Sequence, residues 1–468
     1  MNDNLIFGGG VSATTMNPLV ILVVLIGAVA ILFTGRRTTL VIVLSMVFLI
    51  PSKEQIYIWG AHLYTVRILA IAGIVRLITI RNIAGRHVFS SKLGPVDIVF
   101  FLWVFSRGFA LILDYRQLGA VISEVAFWID AAGGYLLLRH LIQTRDDVIW
   151  ATKVLAVVVS IVAIGMAYES ITQVNLFNYI DTRPTLVLFR NGRPRAQGPF
   201  ANSITAGVFG AVLAPLFYWL WRFGGSKTLG LVAFTAAVLN VLTSLATTAA
   251  LTLVGGLMAL ALWPARAHLA QIRKGIVMVV IMLALAMRAP VWFLIARANV
   301  VGGSNGWDRA YLIDATIRHF WSWWLIGTQA RATWGYDTWD ACNQFVLEAT
   351  DGGLVTLILF VTLLVLCFSL IGRTRRRAKN DRALRWFYWC IGAALFANLL
   401  AFIGVDYFDQ IFVEWLVFLA IITAAARPFS LEDATSHAAA HPESGKVTEV
   451  SSTLIPARRP DVQRFPSM

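Results

Sequence analysis

The stretch Thr338–Phe368, "TWDACNQFVLEATDGGLVTLILFVTLLVLCF", decides how the chain is read. Its second half is apolar and runs as far as a membrane-crossing helix needs, since about 20 residues span a hydrocarbon core of ~30 Å. Its first half carries Asp340, Glu348 and Asp351, an Asn, a Cys and two adjacent glycines. That half is too polar for lipid and too close to the run to lie far from it. It reads as the return of a loop into a membrane helix.

Composition widens this reading to the whole molecule. The chain has 468 residues, 58% hydrophobic and 14% charged, with a mean hydropathy of +0.72. A soluble protein cannot hide so much apolar surface, so the class is an all-α polytopic membrane protein. No basic segment precedes the first apolar run, so no cleavable signal is expected, and residues 1–17 form a short N-terminal segment. Runs of roughly 15–22 residues fall at 18–34, 38–51, 64–79, 95–113, 118–138, 148–168, 202–221, 229–244, 248–263, 275–295, 352–371, 384–404 and 410–426. Some are short or closely spaced, so about 11 to 13 transmembrane helices are expected within 18–426.

Basic residues cluster on every second connection: Arg36-Arg37, Arg81/Arg86/Lys92, Arg139/Arg145, Arg222/Lys227, Arg266/Arg273/Lys274 and "RTRRRAKNDR". The positive-inside rule places these on the cytoplasmic side and explains the net charge of +14 without nucleic acid. The tail 427–468, rich in Ser, Pro, Ala and charge, reads as disordered and cytoplasmic. Cys342, Cys367 and Cys390 show no metal-ligand spacing. No repeat or inverted halves are visible, which disfavours a transporter.

The two long connections, 170–201 and 296–351, fall on the outer side, where function concentrates. They break the charge rule in one direction only. On the outer side between residues 170 and 351 stand Arg183, Arg190, Arg193, Arg195, Arg288, Arg297, Arg309, Arg318 and Arg331, whereas the lysines of the same range, Lys227 and Lys274, belong to cytoplasmic connections. Guanidinium forks match phosphate oxygens bidentately, so arginine without lysine points to anion recognition. The plainer alternative is pairing with Asp181, Asp308, Asp314 or Asp337, or with lipid headgroups. In "RNGRPRAQGPFANSITAG" the pair Gly198-Pro199 makes a turn and Asn202-Ser203 caps the next helix, whose N-terminus favours an anion. Trp307, Trp321, Trp323, Trp324, Trp334 and Trp339 crowd the second loop. They suit a membrane interface, and equally a sugar ring. "DRAYLIDATIRHF" has helical apolar spacing, and His319 is the lone outer-loop histidine.

Together these features resemble the O-antigen ligase and polymerase superfamily of bacterial envelope polysaccharide assembly. The resemblance rests on Arg195, Gly198 and Asn202 as Arg-x-x-Gly-x-x-x-Asn entering a mid-chain helix. A large outer loop follows, with an early Arg309 and a glycine point at Gly327. That loop ends in "CNQFVLEATDGGL", which stands where the family carries His-Asn-x-Tyr-Leu-x-x-x-x-Glu-x-Gly. It covers roughly 170–370 in detail and the rest by topology. It implies a GT-C-like helical fold in the bacterial inner membrane, with a large periplasmic loop and a periplasmic active face. It also implies metal-independent, cofactor-free, inverting transfer of a glycan from undecaprenyl pyrophosphate to a glycan or lipid acceptor, among membrane lipids and beside export or chain-length-control proteins. Three departures stand out. Cys342 occupies the histidine position, Gln329 replaces the second loop glycine, and "VLTSLATTAALTLV" lacks the arginine that many members carry. Some polymerase-like branches use an Asp in this region, and Asp340 fits that branch.

The expected mechanism needs a base for the acceptor hydroxyl and cations for the leaving pyrophosphate. Asp340 is the expected base, with Arg195 and Arg309 as the cations. Arg193, Arg318, Asn202, Gly198, Trp339, Asn343, Glu348 and His319 are the expected substrate contacts, although Glu348 and Asp351 also read as a helix-dipole acid and a turn acid. Polymerase is favoured over ligase because the histidine is missing. The rival of another class is a transporter or flippase for an anionic lipid-linked substrate, which would use Arg67, Arg107, Glu124 and Asp130 within spans.

Overall fold

Each of the thirteen apolar runs overlaps a helix in the computed structural model, which describes residues 13–58, 61–82, 88–89, 92–297, 306–335, 338–378 and 381–427. The expected tail lies outside the described residues apart from Arg427. In chain order the helices are α1 (Pro18–Phe33), α2 (Arg36–Leu49), α3 (Thr65–Asn82), α4 (Pro95–Tyr115), α5 (Leu118–Trp128), α6 (Gly134–Leu141), α7 (Arg145–Thr172) and α8 (Ser203–Arg222). They continue with α9 (Lys227–Ser244), α10 (Thr247–Ala261), α11 (Leu269–Ala286), α12 (Gly306–Arg318), α13 (Phe320–Trp323), α14 (Gln344–Arg377), α15 (Arg382–Gly404) and α16 (Asp409–Ala425). A π turn, Ile129–Gly133, joins α5 to α6.

Eight stretches among the described residues are long and apolar enough to cross a bilayer: α4, α5 through α6, α7, α8, α9, α11, α14 and α15. The apolar helices α1 and α10 are shorter, and α3 carries Arg67, Arg76 and Arg81. This is a multi-pass helical membrane protein. Its outer flanks bear Leu22, Ile164, Met258 and Val365, all largely exposed, as lipid-facing surfaces require. Helix α11 has no buried residue, and it stops at Ala286, ahead of Pro290, where the chain cannot continue a helix.

At the centre stands α8, which is buried along most of its length. Glycines let its neighbours approach: a Cβ on Gly210 would lie 2.7 Å from the Ala237 carbonyl of α9. The helix ends sort into two groups. One end joins Arg36 to Asp147, Arg139 to Asp97 (3.0 Å) and Trp263 to Trp386, and holds the basic connections. The opposite end joins Gln410 to the Ile50 and Pro199 carbonyls, Asn343 to the Ile403 carbonyl and Arg190 to the Leu245 carbonyl. Both long connections gather at this second end.

Two small hairpins were not expected in an all-helical chain: β1 (Gln55–Ile58) with β2 (Ala61–Tyr64), and β3 (Leu188–Arg190) with β4 (Arg193–Arg195). Helix α14 begins well before its apolar run because the Asn343 side chain caps it, accepting from the Phe345 and Val346 amides. It is broken at Gly353, whose φ of 74° and ψ of −174° only glycine tolerates. The loop Trp324–Thr328 stitches into the break. The Leu354 amide donates to the Trp324 carbonyl (2.8 Å) and the Thr328 amide to the Thr350 carbonyl (2.7 Å), replacing bonds that the break removes.

Candidate functional site

The arginine hairpin turns through Asn191 and Gly192, both at positive φ, the pairing that a two-residue hairpin needs. It docks on the C-terminal end of α9, whose last carbonyls lack helical donors. The Ala196 amide donates to the Thr243 carbonyl (3.1 Å), Arg190 Nη1 to the Leu245 carbonyl (2.9 Å) and Arg195 Nε to the Ser244 carbonyl (3.5 Å). The following turn is pinned from below. Glu169, 1% exposed on α7, accepts the Gln197 and Gly198 amides at 3.1 and 2.9 Å, and Asn175 Nδ2 donates to the Gly198 carbonyl. Gly198 has φ +56°. Asn202 then caps α8 through the Thr205 amide (2.9 Å), as its sequence context predicts.

Arg309 reaches the same place from α12. Among the described residues its buried Nε has no hydrogen-bond partner and the residue forms no ion pair. Burial is the main cause that lowers its pKa, and the neighbouring charges are Arg190, which lowers it further, and Asp340 and Asp308, which raise it. Burial likewise pushes Arg195 down to about 10, and the next causes are the charges of Arg190 and Arg309. Three guanidiniums from two loops therefore repel one another within one partly dry recess. Such an arrangement persists because something else offsets it, and an anion does so most directly.

Asp340 faces this cluster. Its two oxygens accept the Cys342 amide (3.2 Å) and the Cys342 thiol (3.0 Å). Burial, then Asp340, raises the thiol well above the usual range, so Cys342 is a neutral donor that orients the carboxylate. Cys342 sits at φ 41°, a left-handed residue that turns Asp340 back over the helix start. Asp406, between α15 and α16, is pushed up to about 6 by burial and then by Asp340.

The chain matches no protein-family model, and no curated protein matches it.

Of the residues expected to contact substrate, several have other work. Asn202 and Asn343 are helix caps, and the Gly198 backbone is held by Glu169 and Asn175. Glu348 is the fifth residue of α14, too deep to serve the first turn. It is fully buried and accepts from Trp103 Nε1 (2.7 Å) and Gln344 Nε2 (2.6 Å). The His319 ring stacks on Trp334 at 4.7 Å and its Nδ1 meets the Ala315 carbonyl. Arg318, itself exposed, pairs with the buried Asp314 one turn back on α12, and Arg193 and Trp339 are exposed. Asp351 is no turn acid: it bridges Arg107 (3.1 Å) and Arg331 (3.3 Å) beside the break in α14. Arg331 also donates to the Trp339 carbonyl (3.0 Å), the residue before Asp340. Gln329, the departure from the second glycine, donates to the Asp114 carbonyl (2.8 Å).

The structure thus brings together Arg195, Arg309 and Asp340, and adds Arg190, Cys342 and Asp406. For Arg190 an unused signal is the Asn191-Gly192 pair, which favours the tight hairpin turn that sets it near Arg195. Asp406 lies far from Asp340 in the chain, and its place at the outer end of the penultimate span is the sequence signal that puts it, with Asp409, toward the same cavity.

Proposed function

We propose that this chain is a membrane glycosyltransferase that polymerises a glycan carried on a lipid pyrophosphate. The observation that carries the reading is the convergence of Arg190, Arg195 and Arg309, unpaired with any acid among the described residues, beside one hydrogen-bonded carboxylate, Asp340. The acceptor hydroxyl attacks the anomeric carbon and its proton passes to Asp340. The bond from that carbon to the pyrophosphate oxygen breaks, and the leaving group departs with the electron pair into the guanidinium recess. Attack opposite the leaving group inverts the anomeric centre. Preorganised donors of this kind contribute on the order of 10²–10³ in rate each. The bundle end that holds the site is the one without the basic connections, in keeping with an outward, periplasmic active face in a bacterial inner membrane and a GT-C-like architecture.

Three of the four intramembrane charges that a transporter would use are paired, Arg67 with Asp130 (2.5 Å) and Arg107 with Asp351, while Glu124 is buried with one oxygen unpartnered among the described residues. This supports transfer over transport. Polymerase and ligase share the donor chemistry, and the ligase alternative differs in its acceptor. A deletion strain separates them. Loss of a polymerase leaves single repeats, and loss of a ligase leaves full-length polymer on its lipid carrier. Within the site, Asp340→Asn is expected to abolish polymer while Cys342→Ser, which keeps a donor to Asp340, retains most of it. A dead Cys342→Ser beside an active Asp340→Asn would overturn the base assignment.

A further inference from the structure

The opposite, basic end of the bundle carries a second recess unrelated to the transfer site. It lies where α10 ends, α14 ends and α15 begins. Trp263 stacks on Trp386 (ring centroids 4.2 Å) and meets Trp389 edge-on (5.6 Å), while Phe223 stacks on the far side of the group against Trp386 (5.3 Å). Trp389 is fixed by its Nε1 bond to the Ala259 carbonyl (3.0 Å). Two arginines lie over these rings: Arg266 over Trp263 at 4.5 Å and Arg375 over Trp389 at 5.0 Å. Around them, Arg375 Nη1, Arg385 Nε and Trp386 Nε1 are all buried and have no hydrogen-bond partner among the described residues. Neither Arg266, Arg375 nor Arg385 forms an ion pair there. The charges acting on Arg375 are two further arginines, Arg376 and Arg266. The nearest acid in the chain, Asp381, is spent capping α15 through the Leu384 amide (2.9 Å).

Buried donors left without acceptors cost free energy, and converging guanidiniums add repulsion. Both are relieved by one ligand that brings several acceptor oxygens and negative charge, namely a phosphate. The place of the recess narrows the source. It sits at the ends of membrane-crossing helices, walled by tryptophans of the kind that hold headgroup level, and exposed apolar side chains (Met258 on α10, Val361 and Val365 on α14) continue from it into the hydrocarbon zone. We propose that this recess, Arg266, Arg375 and Arg385 within the Trp263–Trp386–Trp389 wall, binds the phosphate of an anionic phospholipid headgroup, with the acyl chains lying along α10 and α14.

The test uses the purified full-length protein in a non-ionic detergent, with phosphatidylglycerol and phosphatidylcholine added separately and binding read by native mass spectrometry and thermal unfolding. The proposal expects phosphatidylglycerol to bind and raise the melting temperature more than phosphatidylcholine. Arg266→Gln/Arg375→Gln should weaken phosphatidylglycerol binding about tenfold or more, as loss of charge-assisted forks implies. Arg273→Gln/Lys274→Gln, which removes the same charge from the exposed start of α11, should leave it unchanged. Equal binding of the two lipids by wild type, a reading that needs no variant, would overturn the proposal. Equal loss in both double variants would overturn it too, since the attraction would then belong to the rim as a whole. Displacement of the lipid by millimolar inorganic phosphate would assign the recess to a soluble anion and overturn the lipid reading.

Discussion

Glu169 holds the arginine hairpin in place, and removing it is the sharpest test of how the site is built. Its Oε2 accepts two buried backbone amides, those of Gln197 and Gly198, at 3.1 and 2.9 Å. Glu169→Ala leaves both amides without an acceptor in a region closed to water. Each unsatisfied buried donor costs about 1–3 kcal/mol, so the native geometry loses roughly 2–6 kcal/mol unless the turn moves. The turn has one direction in which to relax, outward from α7, and Arg195 lies three residues before Gly198. The hairpin would then lose its register on Thr243, Ser244 and Leu245. Glu169→Gln keeps one acceptor oxygen and should lose much less. The assay pairs thermal unfolding in detergent with glycan polymerisation in membranes. The alanine variant should melt several degrees lower and lose nearly all polymer, while the glutamine variant keeps most of both. An alanine variant with unchanged melting and normal polymer would refute the claim that Glu169 positions Arg195.

Other expectations follow from single contacts. A Cβ on Gly353 would lie 2.6 Å from the Leu325 carbonyl at a glycine-only φ/ψ, so Gly353→Ala should unseat the Trp324–Thr328 loop at a cost of about 1–3 kcal/mol or more, seen as faster proteolysis within that loop. Asp406 is raised to about 6, so the folded state holds its proton more tightly than the unfolded chain does. The stability it contributes is present at low pH and is lost as pH rises through about 6; Asp406→Asn should flatten the melting profile between pH 4 and 7, and an unchanged profile would contradict this. Gln329→Ala, which removes the donor to the Asp114 carbonyl, should lower polymer yield less than Arg331→Ala, which removes one of the two arginines on Asp351 and the donor to the Trp339 carbonyl, as read by polymer yield at matched protein levels.

Much of the scaffold was legible because apolar runs leave few options in a bilayer. Each run overlaps a helix, and the alternation of basic connections agrees with the two groups of helix ends. The polar start of α14 was harder, because Asn343 extends the helix well beyond its apolar run. The convergence of Arg195, Arg309 and Asp340 was readable as a set of loop residues on one side. What held them was not readable. Glu169 falls just past the apolar run of α7, and its partners are backbone amides with no sequence signature. Asp351 pairs with Arg107 across 244 positions, a contact that only the packing of α4 on α14 creates. Asn202, Asn343 and Glu348 were singled out for polarity in suggestive places, yet capping and internal hydrogen bonds absorb such polarity first.

The central claim is that Arg190, Arg195 and Arg309 together receive a lipid-linked pyrophosphate. The most direct measurement is the affinity of purified protein for undecaprenyl pyrophosphate in detergent, for wild type and for Arg195→Ala and Arg309→Ala at matched fold stability. The account predicts binding that weakens with salt and falls by about 10²-fold in either variant, as expected when a buried, charge-assisted contact is lost. Equal affinity in wild type and both variants would contradict it.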